Sequence, residues 1–133
     1  MANEVSGIDR RTGKLLVGWP YVIQSVETIM TTGFFVRVMR PHVGSNAHKL
    51  IGELANQRTA MRFRWALALA ILQFVPNFKP ERIDQVEVDR DGRTAWVIDG
   101  IYYPRGHLGD FTHGSRRSLV SSETLTSWSS IAA

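Results

Sequence analysis

Between Pro20 and Thr31 the apolar positions Val22, Ile23, Val26, Ile29 and Met30 recur every three to four residues, which predicts one buried face of a helix over about 20–31. Pro20 suits the first turn, where its missing N–H costs nothing, and Gly33 ends the element. Phe34, Phe35, Val36 and Val38 then form a short β-prone run stopped by Pro41 and Gly44. Ser45 or Asn46 is placed to cap a short helix over about 46–54, with Leu50, Ile51 and Leu54 turned inward. The strongest element is 57–75. Met61, Trp65, Ala68 and Leu72 make one stripe there, and every position from Trp65 to Leu72 is apolar, so its second half must be covered on several sides.

Pro76-Asn77 closes that helix. Ile83–Val88 and Thr94–Tyr103 follow as two strands around Arg90-Asp91-Gly92-Arg93, and Asp-Gly between such runs is a hairpin signal. The expected fold is a small α+β single domain, with a long core helix packed against a small sheet that includes this C-terminal hairpin. Residues 1–19 hold Gly7, Gly13 and Gly18 among charges and are expected to be an extended segment, with the domain proper over 20–112. Residues 113–133 are Ser-rich and are expected to form a tail, either unattached or docked as a short helix through Leu125, Trp128 and Ile131 behind Ser122.

A chain of 133 residues has room for one domain with a real core. Having no cysteine excludes a disulfide framework, a thiolate metal site and a cysteine nucleophile. The net charge of +4 is unevenly spread: residues 1–75 carry nine Lys/Arg against four Asp/Glu, and the rest seven against eight. Within 37–64, Arg37, Arg40, Lys49, Arg58, Arg62 and Arg64 face only Glu53, a basic patch suited to an anionic partner of some kind. The first residues do not resemble a secretion signal, and the apolar stretch Trp65–Val75 is shorter than the roughly 20 residues that span a bilayer, so no membrane association is expected.

Candidate chemistry is sparse. Phosphate-cradling, dinucleotide, HExxH and GxSxG motifs are absent, so no cofactor is expected. His42 and His48, like His107 and His113, are six apart, a spacing that does not bring two imidazoles to one helical face, so no metal is expected. A glycosidase would need two carboxylates across a cleft, and Glu27, Glu53 and Glu81 are the available glutamates weighed for it. Nucleic-acid binding would recruit Arg58, Arg62 and Arg64 beside Trp65. Trp65 falls in the apolar stripe, however, and arginine's planar fork suits protein carboxylates equally well.

Three blocks carry a resemblance. Gly7-Ile8-Asp9-Arg10-Arg11-Thr12-Gly13, then Gln24-Ser25-Val26-Glu27-Thr28-Ile29-Met30-Thr31-Thr32, then Arg37-Val38-Met39-Arg40-Pro41-His42-Val43-Gly44-Ser45 resemble, in order and spacing, the baseplate wedge proteins of contractile tails, also called baseplate assembly protein W and sometimes labelled lysozyme-like. The resemblance covers roughly 7–103. The family's E-P-R-I segment stands here as Pro80-Glu81-Arg82-Ile83, with the proline displaced. What the resemblance implies is a structural, non-enzymatic subunit of the virion baseplate, a sheath initiator present in six copies and assembled in the host cytoplasm. Its implied partners are other wedge subunits, the tail sheath protein, and tube or hub proteins. Its sheet would accept sheath strands and another face would hold the wedge core bundle. Arg37, Arg40, Pro41, Gly44, Arg58, Arg62, Glu81 and Arg82 are then the expected partner-binding residues. A peptidoglycan-cleaving glycosidase and a basic nucleic-acid-binding domain are the alternatives, and a tailocin, injection system or type VI secretion baseplate is the variant of the leading view.

Overall fold

A computed structural model describes residues 4–50, 53, 56–88, 94–121 and 128–131. The elements are β1 (Ser6–Ile8), β2 (Leu15–Val17), α1 (Trp19–Thr31), α2 (Ala47–Leu50), α3 (Gln57–Phe74), β3 (Phe78–Val88), β4 (Thr94–Tyr102), a 3-10 turn (Gly106–Leu108), β5 (Ser115–Ser121) and β6 (Trp128–Ile131). β1 and β2 pair as a small hairpin. The other four strands form one antiparallel sheet in the order β3-β4-β5-β6.

α1 forms where its spacing demands, burying Val22, Val26, Ile29 and Met30. Its serine and threonine hydroxyls turn back onto carbonyls one turn earlier, Thr28 to Gln24 at 2.7 Å and Thr32 to Thr28 at 2.6 Å, so a Thr-rich helix end keeps its polar groups satisfied. α3 starts at Asn56, whose side chain accepts the Thr59 N–H at 2.8 Å. The helix buries Phe63, Leu67, Ala70 and Ile71, not the stripe expected from sequence. Met61, Trp65 and Leu72 lie outside, with Trp65 69% exposed. Both faces of this helix are apolar, and the one that faces α1 and β3 is chosen by long-range packing that periodicity cannot report.

The core runs from α1 through α3 to the inward face of β4, where Trp96, Ile98 and Tyr102 alternate with outward residues. Phe63 meets Trp96 at 4.7 Å between ring centroids. Gly100 falls on the same inward face, and glycine is needed there because a Cβ would run into the Lys79 carbonyl and lie 2.8 Å from the Phe78 ring. β3 begins at Phe78, five residues before the expected strand, and carries Pro80 inside it. That is tolerated because β3 is an edge strand, with shifts in register at Pro80/Arg82 and Gln85/Glu87. Pairing of Val88 with Thr94 closes the expected hairpin, while its Arg90–Arg93 turn lies outside the described residues.

Three expectations change. The run Phe34–Val38 is a chain of turns rather than a strand, because among the described residues no strand lies alongside to pair with it. The segment before Pro20 folds back as the β1–β2 hairpin rather than running out as a lead-in. At the C-terminal end, residues 115–121 and 128–131 supply two of the four sheet strands, with Leu119 fully buried. Ser121 accepts the Trp96 N–H at 2.9 Å, so serine there is part of the sheet and not a sign of a loose tail. Of the expected 46–54 helix, Ala47–Leu50 is helical, while Ile51 and Leu54 lie outside the described residues.

Candidate partner-binding surfaces

The first two sequence blocks meet in one joint. Asp9 organises the β1–β2 turn by accepting the Arg11 N–H at 2.9 Å and the Thr12 hydroxyl at 2.6 Å, while Gly13 takes the left-handed backbone the turn needs. These donors hold the Asp9 carboxyl below its ordinary range, the Thr12 hydroxyl most of all. Gln24 of α1 then clamps the turn, accepting the Arg10 N–H at 3.0 Å and donating to the Ile8 carbonyl at 2.9 Å. Buried Glu27 adds close charge contacts, 2.7 Å to Arg10 and 3.6 Å to Arg11. These residues hold the hairpin on the helix.

The third block is built differently. Residues 33–45 leave α1, turn back on themselves and enter α2, with the Phe35 N–H donating to the Pro41 carbonyl at 2.9 Å. The two ends touch: a Cβ on Gly44 would sit 2.7 Å from the Gly33 carbonyl, so glycine is required there by close approach. Buried Ser45 locks the exit, its N–H to Thr32 and its hydroxyl to the Ile29 carbonyl at 3.0 Å, and His48 Nδ1 lies 3.0 Å from the Ser45 carbonyl. Arg37, Arg40 and Pro41 are all exposed on this loop, and among the described residues neither arginine has a carboxylate within ion-pair distance.

Arg58 and Arg62 come together at the first turns of α3, lining a shallow open cleft of about 390 Å³ with Glu53, Asn56 and Thr59. Arg62 holds Glu53 at 3.1 Å. Along the same helix Met61, Trp65, Leu69 and Leu72 form a bare apolar ridge that spans about 16 Å at 1.5 Å per residue. Sequence reasoning counted part of this ridge as core. The signal that it is a surface lay in its coexistence with a second, equally apolar face on a helix too short for all of it to be buried in so small a chain.

Glu81 and Arg82 sit on a different element, exposed on the edge strand β3. Glu81 reaches Arg116 at 3.6 Å and Arg82 pairs with Asp84. Each glutamate weighed as a catalytic acid is therefore engaged with an arginine: Glu27 with Arg10, Glu53 with Arg62, Glu81 with Arg116. Among the described residues, no cluster of three or more His, Asp or Glu has metal-site geometry, and no helix is long and apolar enough to cross a membrane.

The two margins of the sheet contrast. β3 presents a proline, two register shifts and the charges Lys79, Glu81, Arg82 and Asp84, all features that discourage strand addition. β6 is four residues, Trp128-Ser129-Ser130-Ile131, without proline or charge. Its pairing with β5 begins only at Ser118, whereas β5 pairs β4 from Ser115 onward, so among the described residues Ser115–Arg117 has a strand on its β4 side alone.

The profile of the family described as baseplate wedge protein gp25 matches residues 20–101. A chain of the pyocin R2 baseplate, solved by electron cryomicroscopy in the post-contraction state, is similar at 28% identity and a TM-score of 0.65, with 74% of this chain and 98% of that one covered. A Geobacter sulfurreducens protein described as a candidate tail lysozyme shares the fold at 21% identity and a TM-score of 0.57, covering 76% and 85% respectively. A search among curated proteins found no match.

Proposed function

The chain belongs to the family of baseplate wedge protein gp25, and from this premise we propose that it is a structural subunit of a contractile-tail baseplate that starts sheath assembly by strand addition. The observation that carries this reading is that β6, short and without proline or charge, is the last strand of the described sheet, and that among the described residues Ser115–Arg117 of β5 pairs with β4 alone. Unpaired N–H and C=O groups there are satisfied by a strand from a sheath subunit, which ties the sheath to the baseplate through backbone hydrogen bonds. β3, with its proline, shifts and charges, is the margin left unused.

The bare ridge of α3 is the second contact. Met61, Trp65, Leu69 and Leu72 offer the i, i+4 spacing into which a helix of the wedge core bundle packs, and Arg58 and Arg62 at the start of that ridge pair with its carboxylates. Glu81 and Arg82, on the unused margin, contact a neighbouring wedge subunit. Other baseplate proteins, the tail sheath, and tube or hub proteins are the partners, with six copies around the tube and assembly in the host cytoplasm before incorporation into the virion. The engagement of Glu27, Glu53 and Glu81 with arginines favours this structural role over glycoside hydrolysis, which uses two carboxylates facing one sugar. Deleting the gene from an otherwise intact tail cluster is expected to yield tubes without sheath. Normally sheathed, contractile particles from that deletion would overturn the proposal.

A further inference from the structure

The loop at 33–45 bears two features that are unfavourable in the lone chain, one found among the described residues only there and the other most pronounced there. Phe35 has φ 64, and no other non-glycine residue among those described adopts a positive φ. A bulky side chain is strained there, and such strain persists where the surroundings over-determine it. The same residue is 84% exposed, and Val38 and Met39 are each 92% exposed, more than any other large apolar side chain described. Solvation explains neither, because water rewards neither strain nor exposed methyl groups.

The loop is also preformed. Gly33 and Gly44 touch, the Phe35 N–H reaches Pro41, and Ser45 anchors the exit to α1, so its shape is fixed before any partner arrives. Rigid presentation of aromatic, Met and Arg side chains is the composition of a contact centre, and preorganisation lowers the entropy lost on binding. Charge specifies the other side. From Thr28 to Gly52 the sequence has no acidic residue while carrying Arg37, Arg40 and Lys49.

We propose that residues 34–41 form a plug whose Phe35, Val38 and Met39 enter an apolar pocket of another baseplate protein, while Arg37 and Arg40 pair with carboxylates at the pocket rim. This rests on the baseplate reading above and adds to it a further contact, one anchored by apolar groups rather than by the arginines alone. A lipid surface fits less well: Arg37 stands between Val36 and Val38, so insertion would carry a cation into the acyl region. Nucleic acid gives exposed Val and Met no partner. A second copy of this chain would bring a segment without carboxylates against itself.

The test uses the full chain within its tail gene cluster. Phe35→Gly combined with Met39→Ser removes the strain and two anchors together. The isolated variant is expected to melt at or up to about 3 °C above the unaltered chain, while its incorporation into purified tail particles falls about ten-fold or more. Arg37→Glu with Arg40→Glu is expected to lose incorporation likewise at unchanged melting temperature. Incorporation equal to that of the unaltered chain would overturn the plug and leave the baseplate reading intact, and so would a lowered melting temperature that accounts for the loss. Absence of the unaltered chain from particles would overturn both. A photo-crosslinking p-benzoylphenylalanine at Met39 is expected to label a different baseplate chain at an apolar segment holding Asp or Glu. Labelling of a second copy of this chain, of lipid or of nucleic acid would overturn the assignment.

Discussion

The joint between the β1–β2 hairpin and α1, and the surface made by the 33–45 loop with the outer face of α3, are built from equally distinctive sequence but answer opposite needs. In the joint Asp9, Gln24 and Glu27 all find partners inside the chain: Asp9 the Arg11 N–H and Thr12, Gln24 Ile8 and Arg10, and Glu27 the charges of Arg10 and Arg11. On the loop and outer face, Phe35, Val38, Met39, Trp65 and Leu72 are apolar and exposed, and Arg37 and Arg40 find no carboxylate among the described residues. A recognisable motif can thus mean self-sufficiency or a demand for a partner. Only the accounting of who satisfies whom separates the two.

The contrast within α3 makes the largest stability prediction. Leu67→Ala, on the buried face, is expected to destabilise the isolated chain by about 3 kcal/mol, whereas Leu72→Ala, five residues on, stays within about 0.5 kcal/mol. Denaturant unfolding of both variants checks this. Equal losses would mean that the ridge is core after all.

Next in size, Glu27→Gln is expected to cost about 1–2 kcal/mol by loosening the hairpin from α1, and most of that cost should vanish in an Arg10→Ala background. Undiminished cost in that background would place the role of Glu27 elsewhere. The smallest effect is with acid. Because its hydrogen bonds depress the Asp9 pKa below the ordinary 3.8, the turn's contribution is full above that value and is lost as pH falls through the lower folded-state value. Protection factors across Ser6–Val17, taken relative to intrinsic exchange at each pH, should therefore fall only below about pH 4, and a fall near neutrality would contradict the assignment.

Much of this was legible in the residues. α1 announced itself through Val22, Val26, Ile29 and Met30, the β3–β4 hairpin through its flanking strands, and α3 through its length. The failures have a common cause. Phe34–Val38 has β propensity but among the described residues no strand to pair with, β5 hides in Ser-Arg-Arg-Ser-Leu-Val-Ser because only Leu119 and Ser121 turn inward and are buried, and the face of α3 was chosen by α1 and β3 rather than by its own period. Propensity is local, whereas strand partnership and the choice between two apolar faces are settled by contacts distant in sequence. For the candidate surfaces, residue types pointed to Arg37, Arg40, Arg58 and Arg62, yet nothing in the spacing revealed that Phe35, Val38 and Met39 stand exposed beside the first two.

The central claim is that the sheet is completed by backbone from another molecule at the β6 margin. Amide hydrogen exchange of Ser115–Arg117 and Trp128–Ile131, compared between the isolated chain and assembled particles, tests it most directly. Exchange in these segments should slow by about 100-fold or more on assembly, with Lys79–Asp84 of β3 much less affected. Equal exchange in the two states at Ser115–Arg117 and Trp128–Ile131 would contradict the claim.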